Sequence, residues 1–502
     1  MNNYFLNSLK LLIFLTPFLL QSCSDDSDGL DNVTSELEFT NLKEGEELWN
    51  TVNIQASAKD GISITSLQLF VDDQLLASES NKAVISSDWN TSNTEDGKHT
   101  LKVIATNASQ NSTEKEITVM VKNNLITLQV PDYELRYGEE GYIFLSDRNG
   151  KLIASEPLIA GKEITLKNNN FQDSIFFLTE LYDSQSREYA LIQTFSDVKR
   201  GSHWNISNTG KFSSNTLKAD ITFTNVSENG YFRAYSNGDD SAYIIGDLGH
   251  QESLSLSRSP SYLYTVKFDD AHQPISYNLF KGIHEGENIV DLSQVNKTFD
   301  EIEIKLPDYD LYNYFLYGID GEGKSAKDFE VDYESNSEAG VTTTKISYAG
   351  ESFENYRLEF NWSKDNYNYS QYIYGLDHLE LKEINHDFDF HFKDKGFSYS
   401  ATGDFDVAFY DIWGDINEKV IYWTVTLPQA TERIVPEIEL PENLEFLNIL
   451  KSEHSSSINF EDYDQFNDYY EILEFISHSE SGYYGVTRYD KNYVSVEYEL
   501  DN

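Results

Sequence analysis

The sequence predicts a mostly β protein, built as tandem β-sandwich domains with one short C-terminal helix. Three observations point there. Apolar and polar residues alternate with a period of two over most of the chain, the pattern of a half-buried strand. Tyrosine and phenylalanine number 34 and 30, and they recur at spacings of two, which suits pleated surfaces. Turn signals such as Asp72-Asp73 and Glu95-Asp96-Gly97 separate short strands at the intervals expected of sandwiches. The 502 residues carry 37 basic and 85 acidic side chains, a formal charge of −48. Such a chain repels nucleic acid and anionic surfaces, so no nucleic-acid partner is expected. Acidity of this degree also occurs in disordered chains, but a 39% hydrophobic and 14% aromatic content argues for buried cores.

Taken in chain order, residues 1–22 read as a secretory signal. Lys10 precedes Leu11-Leu12-Ile13-Phe14-Leu15, and the apolar run to Leu20 is too short to span a bilayer. Pro17 argues against a buried core helix. Leu20-Gln21-Ser22-Cys23 then resembles a bacterial lipobox, although Gln21 departs from the small residue usual at that position. The resemblance implies acylation of Cys23, the single cysteine of the chain, and a membrane attachment through acyl chains worth about 0.8 kcal/mol per buried methylene. With no second cysteine the exported chain forms no internal disulfide, and burial must stabilise it. Residues 23–36 form an acidic tether. Its Ser24, Asp25, Asp26 and Asp28 resemble the export signal of Bacteroidota surface lipoproteins, which implies lipid anchoring in the outer membrane with the protein facing the medium.

In residues 37–122, Ile54, Ala56 and Ala58 alternate with polar neighbours, as do Leu67, Leu69 and Val71, and Leu101, Val103 and Ala105. "LQLFVDDQLLASE" followed by "DWNTSNTEDGKHTLKVIATNASQNSTEKEITVMV" resembles a bacterial Ig-like domain of surface proteins. That resemblance implies a spacer or adhesive unit with no catalytic residues, and Trp89 reads as core.

Four segments follow: a β-rich domain over 123–208, β-sandwiches over 209–301 and 302–430, and an α+β segment over 431–502. Pro131 to Leu135 and Pro307 to Leu311 share Pro-Asp-Tyr-acid-Leu, each at the end of an alternating strand where proline removes a ladder donor. "EIELPENLEFL", with Pro441, is a fainter copy. Phe388, Phe390 and Phe392 share one strand face, as do Ile421, Trp423 and Val425, with a turn expected at Gly414-Asp415-Ile416-Asn417. Phe460, Tyr463, Phe466, Tyr470, Leu473 and Ile476 recur every three or four residues and predict one helix with an aromatic stripe.

No catalytic constellation stands out. Gly-x-Ser-x-Gly and His-Glu-x-x-His patterns are absent, and His386 and His391 leave opposite faces of a strand. No catalytic residue, metal site or cofactor is therefore expected. The loop with Asp320, Glu322 and Asp328 is a poor EF-hand because Lys324 and Ser325 occupy required positions; structural Ca²⁺ remains an option there or at "NGDDS". Sugar faces stack on aromatic rings, so the best ligand-binding candidates are Trp362, Tyr367 and Tyr369 among Asn366, Asn368 and Gln371, with Trp413 beside a turn. The expectation is a cell-surface lipoprotein that binds extracellular glycan or protein and performs no catalysis. A polysaccharide hydrolase with unrecognised carboxylates and a structural surface-layer protein are the alternatives.

Overall fold

A computed structural model describes residues 36–59, 64–131, 139–184, 189–206, 217–226, 230–236, 241–245, 250–256, 258–320, 327–338, 340–377, 379–393, 395–416, 418–451, 454–479 and 492–500. Cys23, Ser24, Asp25, Asp26 and Asp28 lie outside them, as do residues 321–326 of the acidic loop. The protein is mostly β with a single α-helix among the described residues, and its contacts divide into two units that meet in sequence near residue 121.

The first unit packs two sheets. One runs Glu47–Leu48, Ser112–Val121, Gly97–Asn107, Ile64–Val71, Gln74–Ser80; the other runs Glu36–Phe39, Thr51–Lys59, Val84–Asn90. The inward positions of the alternation form its core: Ile54, Ala56, Leu67, Leu69, Leu101 and Val103 are fully buried, and Trp89 joins them. Asp72 and Asp73 both have positive φ, 46° and 63°. Those angles suit a two-residue hairpin turn whose twist matches that of its strands.

The second unit is organised by a twelve-stranded sheet. Its order is Leu152–Pro157, Glu139–Ser146, Ile175–Ser184, Tyr189–Lys199, Lys419–Leu427, Val407–Ile416, Ser455–Tyr463, Tyr493–Leu500, Tyr367–Tyr374, Asn355–Lys364, Leu311–Asp320, Lys327–Asn336. Strands from residues 123–208, 302–430 and 431–502 all enter this sheet, so tertiary pairing crosses those sequence segments. The proline repeats mark a recurring path. Asn124–Gln129 precedes Pro131 and Asp300–Lys305 precedes Pro307; each lies in a small covering sheet, and the next described strand of each belongs to the long sheet.

One face of the long sheet carries Phe144, Leu181, Trp423, Tyr410, Phe460, Trp362, Phe360 and Leu316 in the largest core. Partners of this face come from Asp300–Lys305 with Thr343–Tyr348, and from His386–Lys393, Gly396–Gly403 and Ala430–Val435. Phe388 and Phe390 pack inward as their alternation predicts, whereas Phe392 is 39% exposed. Gly318 has no Cβ for a reason: one placed there would meet the Phe353 ring at 2.3 Å.

The opposite face is sealed, among the described residues, at one end. There Ile143, Leu145, Leu178, Tyr182 and Phe195 pack against Leu125, Leu128 and Trp204 of a three-stranded sheet and against Ile472, Leu473 and Ile476 of the helix. A separate sandwich, Leu217–Thr224, His250–Leu256 and Gly286–Asp291 facing a four-stranded sheet of Ser241–Ile245, Tyr231–Ser236, Ser261–Phe268 and Pro274–Ile283, has its own core around Ile221, Phe223, Phe232 and Ile244.

Two local expectations are corrected. The helix covers only Tyr469–His478, because Asp468 caps it by accepting from the N–H groups of Tyr470 and Glu471. Phe460 and Tyr463 instead sit in the strand Ser455–Tyr463, and Tyr470 is 43% exposed while Tyr469 is buried. The hairpin predicted at Gly414–Asn417 closes later. Gly414, Asp415 and Ile416 are still paired, to Ile421, Val420 and Lys419.

Candidate functional site

Cross-strand register shows which residues share the partly open face. Phe195, Thr426, Phe409, Asn459, Glu497, Asn368, Ser363 and Leu311 oppose one another in turn across eight strands. Directly opposed residues point to one side, and each second residue along a strand joins them. Leu311 thereby places Asn313, Phe315 and Tyr317 on the face that Phe195 occupies at the sealed end.

At this far end the face presents three adjacent rows. In the first, Tyr333, Phe315, Glu359, Tyr372 and Tyr493 oppose one another, with Tyr493 buried in the core of the sealed end and Tyr372 packed against it. The second contains Tyr317, Arg357 and Tyr374, and the third Ser335, Asn313, Asn361 and Ser370. Tyr333 is 63% exposed; Phe315, Tyr317, Tyr372 and Tyr374 are half-buried. Phe315, Tyr317, Tyr333 and Tyr374 belong to no hydrophobic core of the described residues.

The rings are organised against each other. Phe315 stacks on Tyr317 at 6.4 Å and on Tyr333 at 6.3 Å, and Tyr372 on Tyr493 at 4.5 Å. The Arg357 guanidinium lies over the Tyr317 ring at 4.8 Å and donates to Glu359 at 2.8 Å. Asn361 donates to Asn313 Oδ1 at 3.0 Å. Burial pushes the Tyr372 hydroxyl pKa up, with the Glu359 carboxylate adding to it, so this phenol stays a neutral donor. Flat rings, amides and hydroxyls on a pleated platform can stack on sugar C–H faces and exchange hydrogen bonds with sugar hydroxyls.

The sequence candidates divide by strand parity. Trp362 is 2% exposed and Tyr369 7%, and their rings stack on each other at 4.9 Å and 6° on the core side. Tyr367 is half-buried on the same side, against Tyr498 at 5.1 Å and His386 at 5.2 Å. Trp413 reaches the partly open face, half-buried, opposite the 48% exposed Tyr422. It also opposes Ser455, at the far end of the strand from Tyr463, roughly 27 Å from the aromatic rows at about 3.4 Å per residue. The rows themselves were missed. Their signal lay in "LYNYFLYG", where rings occupy both parities: Tyr312 and Tyr314 enter the core, and Phe315 and Tyr317 face out.

Among the described residues no group of three or more His, Cys, Asp or Glu side chains is placed to hold a metal ion, and no helix is long and apolar enough to cross a membrane.

With this geometry in place, comparison with known proteins adds one firm result. The bacterial Ig domain family matches residues 36–103. The first unit is therefore Ig-like. No curated protein matches the chain. Among solved structures, the endo-β-1,4-mannanase of Thermotoga petrophila is 21% identical over 18% of this chain, at TM-score 0.16; the match covers only 21% of that enzyme. SGBP-B of the Bacteroides ovatus mixed-linkage glucan utilization locus, solved with a mixed-linkage heptasaccharide, is 9% identical over 63% of this chain and 97% of its own, at TM-score 0.16. A 1.5-MDa bacterial ice-binding adhesin is 10% identical over 52% of this chain and 100% of its own, at TM-score 0.15. At such scores these overlaps carry no argument about the arrangement of the second unit or its ligand.

Proposed function

We propose that this protein is a non-catalytic surface lipoprotein that captures extracellular glycan. In chain order, acylated Cys23 would anchor it, the Ig-like unit would follow as a spacer, and the second unit would bind. The observation that carries the reading is the exposed aromatic platform of Tyr333, Phe315 and Tyr317 flanked by Asn313 and Asn361. The anchor rests on Leu20-Gln21-Ser22-Cys23 and the acidic residues after it; a Bacteroidota outer membrane is the location those residues suggest. Binding without catalysis is supported by the pairing of the two carboxylates in the rows: Glu359 is engaged by Arg357, and Glu330, opposite Tyr317, by Arg233, whereas a glycosidase needs an acid and a base facing each other across a cleft.

The lipid-free chain on glycan and protein arrays, with reducing-sugar release measured on every retained polysaccharide, tests this reading. Glycan retention without product is the expected result. Product release would make the protein a hydrolase, and retention of proteins alone would overturn glycan capture. Mass spectrometry of the native protein should find acyl chains on an amino-terminal Cys23; a free thiol there would remove the anchor.

A further inference from the structure

The sandwich of residues 217–291 has a pocket that nothing above uses. A shallow cavity of about 360 Å³ is lined by Tyr231, Tyr243, Ile245, Asp269, Asp270 and His272. Tyr231 and Tyr243 lie nearly parallel, 6.2 Å apart at 14°, and His272 meets Tyr231 edge-on at 5.1 Å. Tyr243 is 51% exposed and Ile245 62%, so two large side chains face water where a core would have hidden them. In the turn that lines the pocket Asp269 accepts from the N–H groups of Ala271 and Gln273.

Arg233 and the strand register link this pocket to the aromatic rows. The Arg233 guanidinium lies 5.0 Å from the Tyr243 ring and 3.8 Å from Glu330. Glu330 directly opposes Tyr317 in the sheet, and Arg357 covers Tyr317. The surface therefore runs from Tyr231 to Tyr372 with rings at both ends and two Arg–Glu pairs between them. Crossing from Tyr333 to Tyr372 alone spans three strand spacings, about 14 Å.

We propose that the Tyr231–Tyr243 pocket is a second binding subsite, and that it and the sheet rows together hold one extended, uncharged polysaccharide chain. This rests on the glycan reading above and adds the ligand's charge and length. The charge follows from the cations: Arg233 and Arg357 already face Glu330 and Glu359, Asp269 and Asp270 line the pocket, and the whole chain carries −48. A uronate or sulfate would enter a negative field with each nearby guanidinium already answered by a carboxylate. The length follows from the separation of the two ring clusters, because a chain that reaches both gains the second contact intramolecularly.

Affinity electrophoresis of the lipid-free chain through gels containing neutral polysaccharides (glucans, mannans, xylans) or acidic ones (polygalacturonate, chondroitin sulfate) tests the charge. Calorimetry with oligosaccharides of increasing length from the retained polymer then tests the span. Retardation by a neutral polymer and by no acidic one is expected. Tyr243→Ala and Tyr333→Ala should each weaken polymer binding about tenfold, or about 1.4 kcal/mol, while a disaccharide or trisaccharide should respond to at most one of them. Both side chains are more than half exposed, so unchanged melting curves are expected and serve as the folding control. If Tyr333→Ala weakens binding and Tyr243→Ala does not, the second subsite is overturned and glycan capture stands. Retardation by acidic polymers overturns the charge assignment. No retardation by any polymer overturns glycan capture and this inference together.

Discussion

The two ends of the long sheet use one face in opposite ways. At the end formed by Glu139–Ser146, Ile175–Ser184 and Tyr189–Lys199, that face carries Ile143, Leu145, Leu178 and Phe195, and a small sheet and the helix cover it. At the end formed by Leu311–Asp320, Lys327–Asn336 and Asn355–Lys364, it carries Phe315, Tyr317, Tyr333, Asn313, Asn361 and the Arg357–Glu359 pair. Aliphatic side chains are stable only when another layer removes them from water. Tyrosines with amides and paired charges tolerate half-exposure because each ring has a polar edge or a cation to meet. One scaffold thus has a sealed end for stability and an open end that the proposed glycan capture would use.

That contrast is sharpest where removal of a side chain should affect only one property. Trp204 is 3% exposed, packs on Phe195 at 4.9 Å and donates its indole N–H to Glu180 at 2.8 Å. Trp204→Ala should cost about 3–5 kcal/mol in urea unfolding, with glycan retention intact in the folded fraction. Loss of retention at unchanged stability would break the division between the two ends.

A pH effect of nearly that size belongs to the same end. Glu180 is 1% exposed, and burial pushes its pKa from 4.5 up to about 7 against the hydrogen bonds it accepts from Tyr182 and Trp204. The fold therefore favours the protonated acid. Its contribution is complete below pH 4.5 and is lost as pH rises through about 7, a change of roughly 3 kcal/mol. Asp332 and Asp406, both raised to about 6 by burial, act with the same sign, so the diagnostic quantity is a difference. Glu180→Gln should lose roughly 2.5 kcal/mol less than wild type between pH 5 and pH 8; equal losses would place the titration elsewhere.

Smaller effects are expected at exposed positions. Phe315→Ala should weaken glycan binding by about 1 kcal/mol, since aromatic contacts of this kind contribute on that order, and by more than any change at Trp362, whose loss should appear in stability. The smallest is Asp468→Ala, which removes the helix N-cap and should cost about 1 kcal/mol in thermal unfolding without altering binding. A loss of binding there would mean that the helix belongs to the site.

Local pattern made much of the fold legible. Ile54, Ala56, Leu67, Leu69, Leu101 and Val103 went inward as their alternation requires, and Asp72-Asp73 turns as that dipeptide should. Leu473 and Ile476 lie on the buried stripe. The helix start was misread because Phe460 and Tyr463 satisfy a spacing of three or four by chance while also serving a strand, and Asp468 decides between the two. For the candidate site the aromatic cluster is legible but the choice within it is not: Trp362 and Tyr369 stand among Asn366, Asn368 and Gln371, and both lie on the core side.

The sequence alone determined the strand periodicity and the Ig-like unit, because each depends on residues close together in the chain. Only the tertiary structure decided that strands from residue 139 to residue 500 pair into one sheet, and which end of it the described residues cover. Pairing partners far apart in sequence set which parity is buried. Whether Phe315 meets water or another layer therefore depends on where the covering sheet and helix lie, more than a hundred positions away.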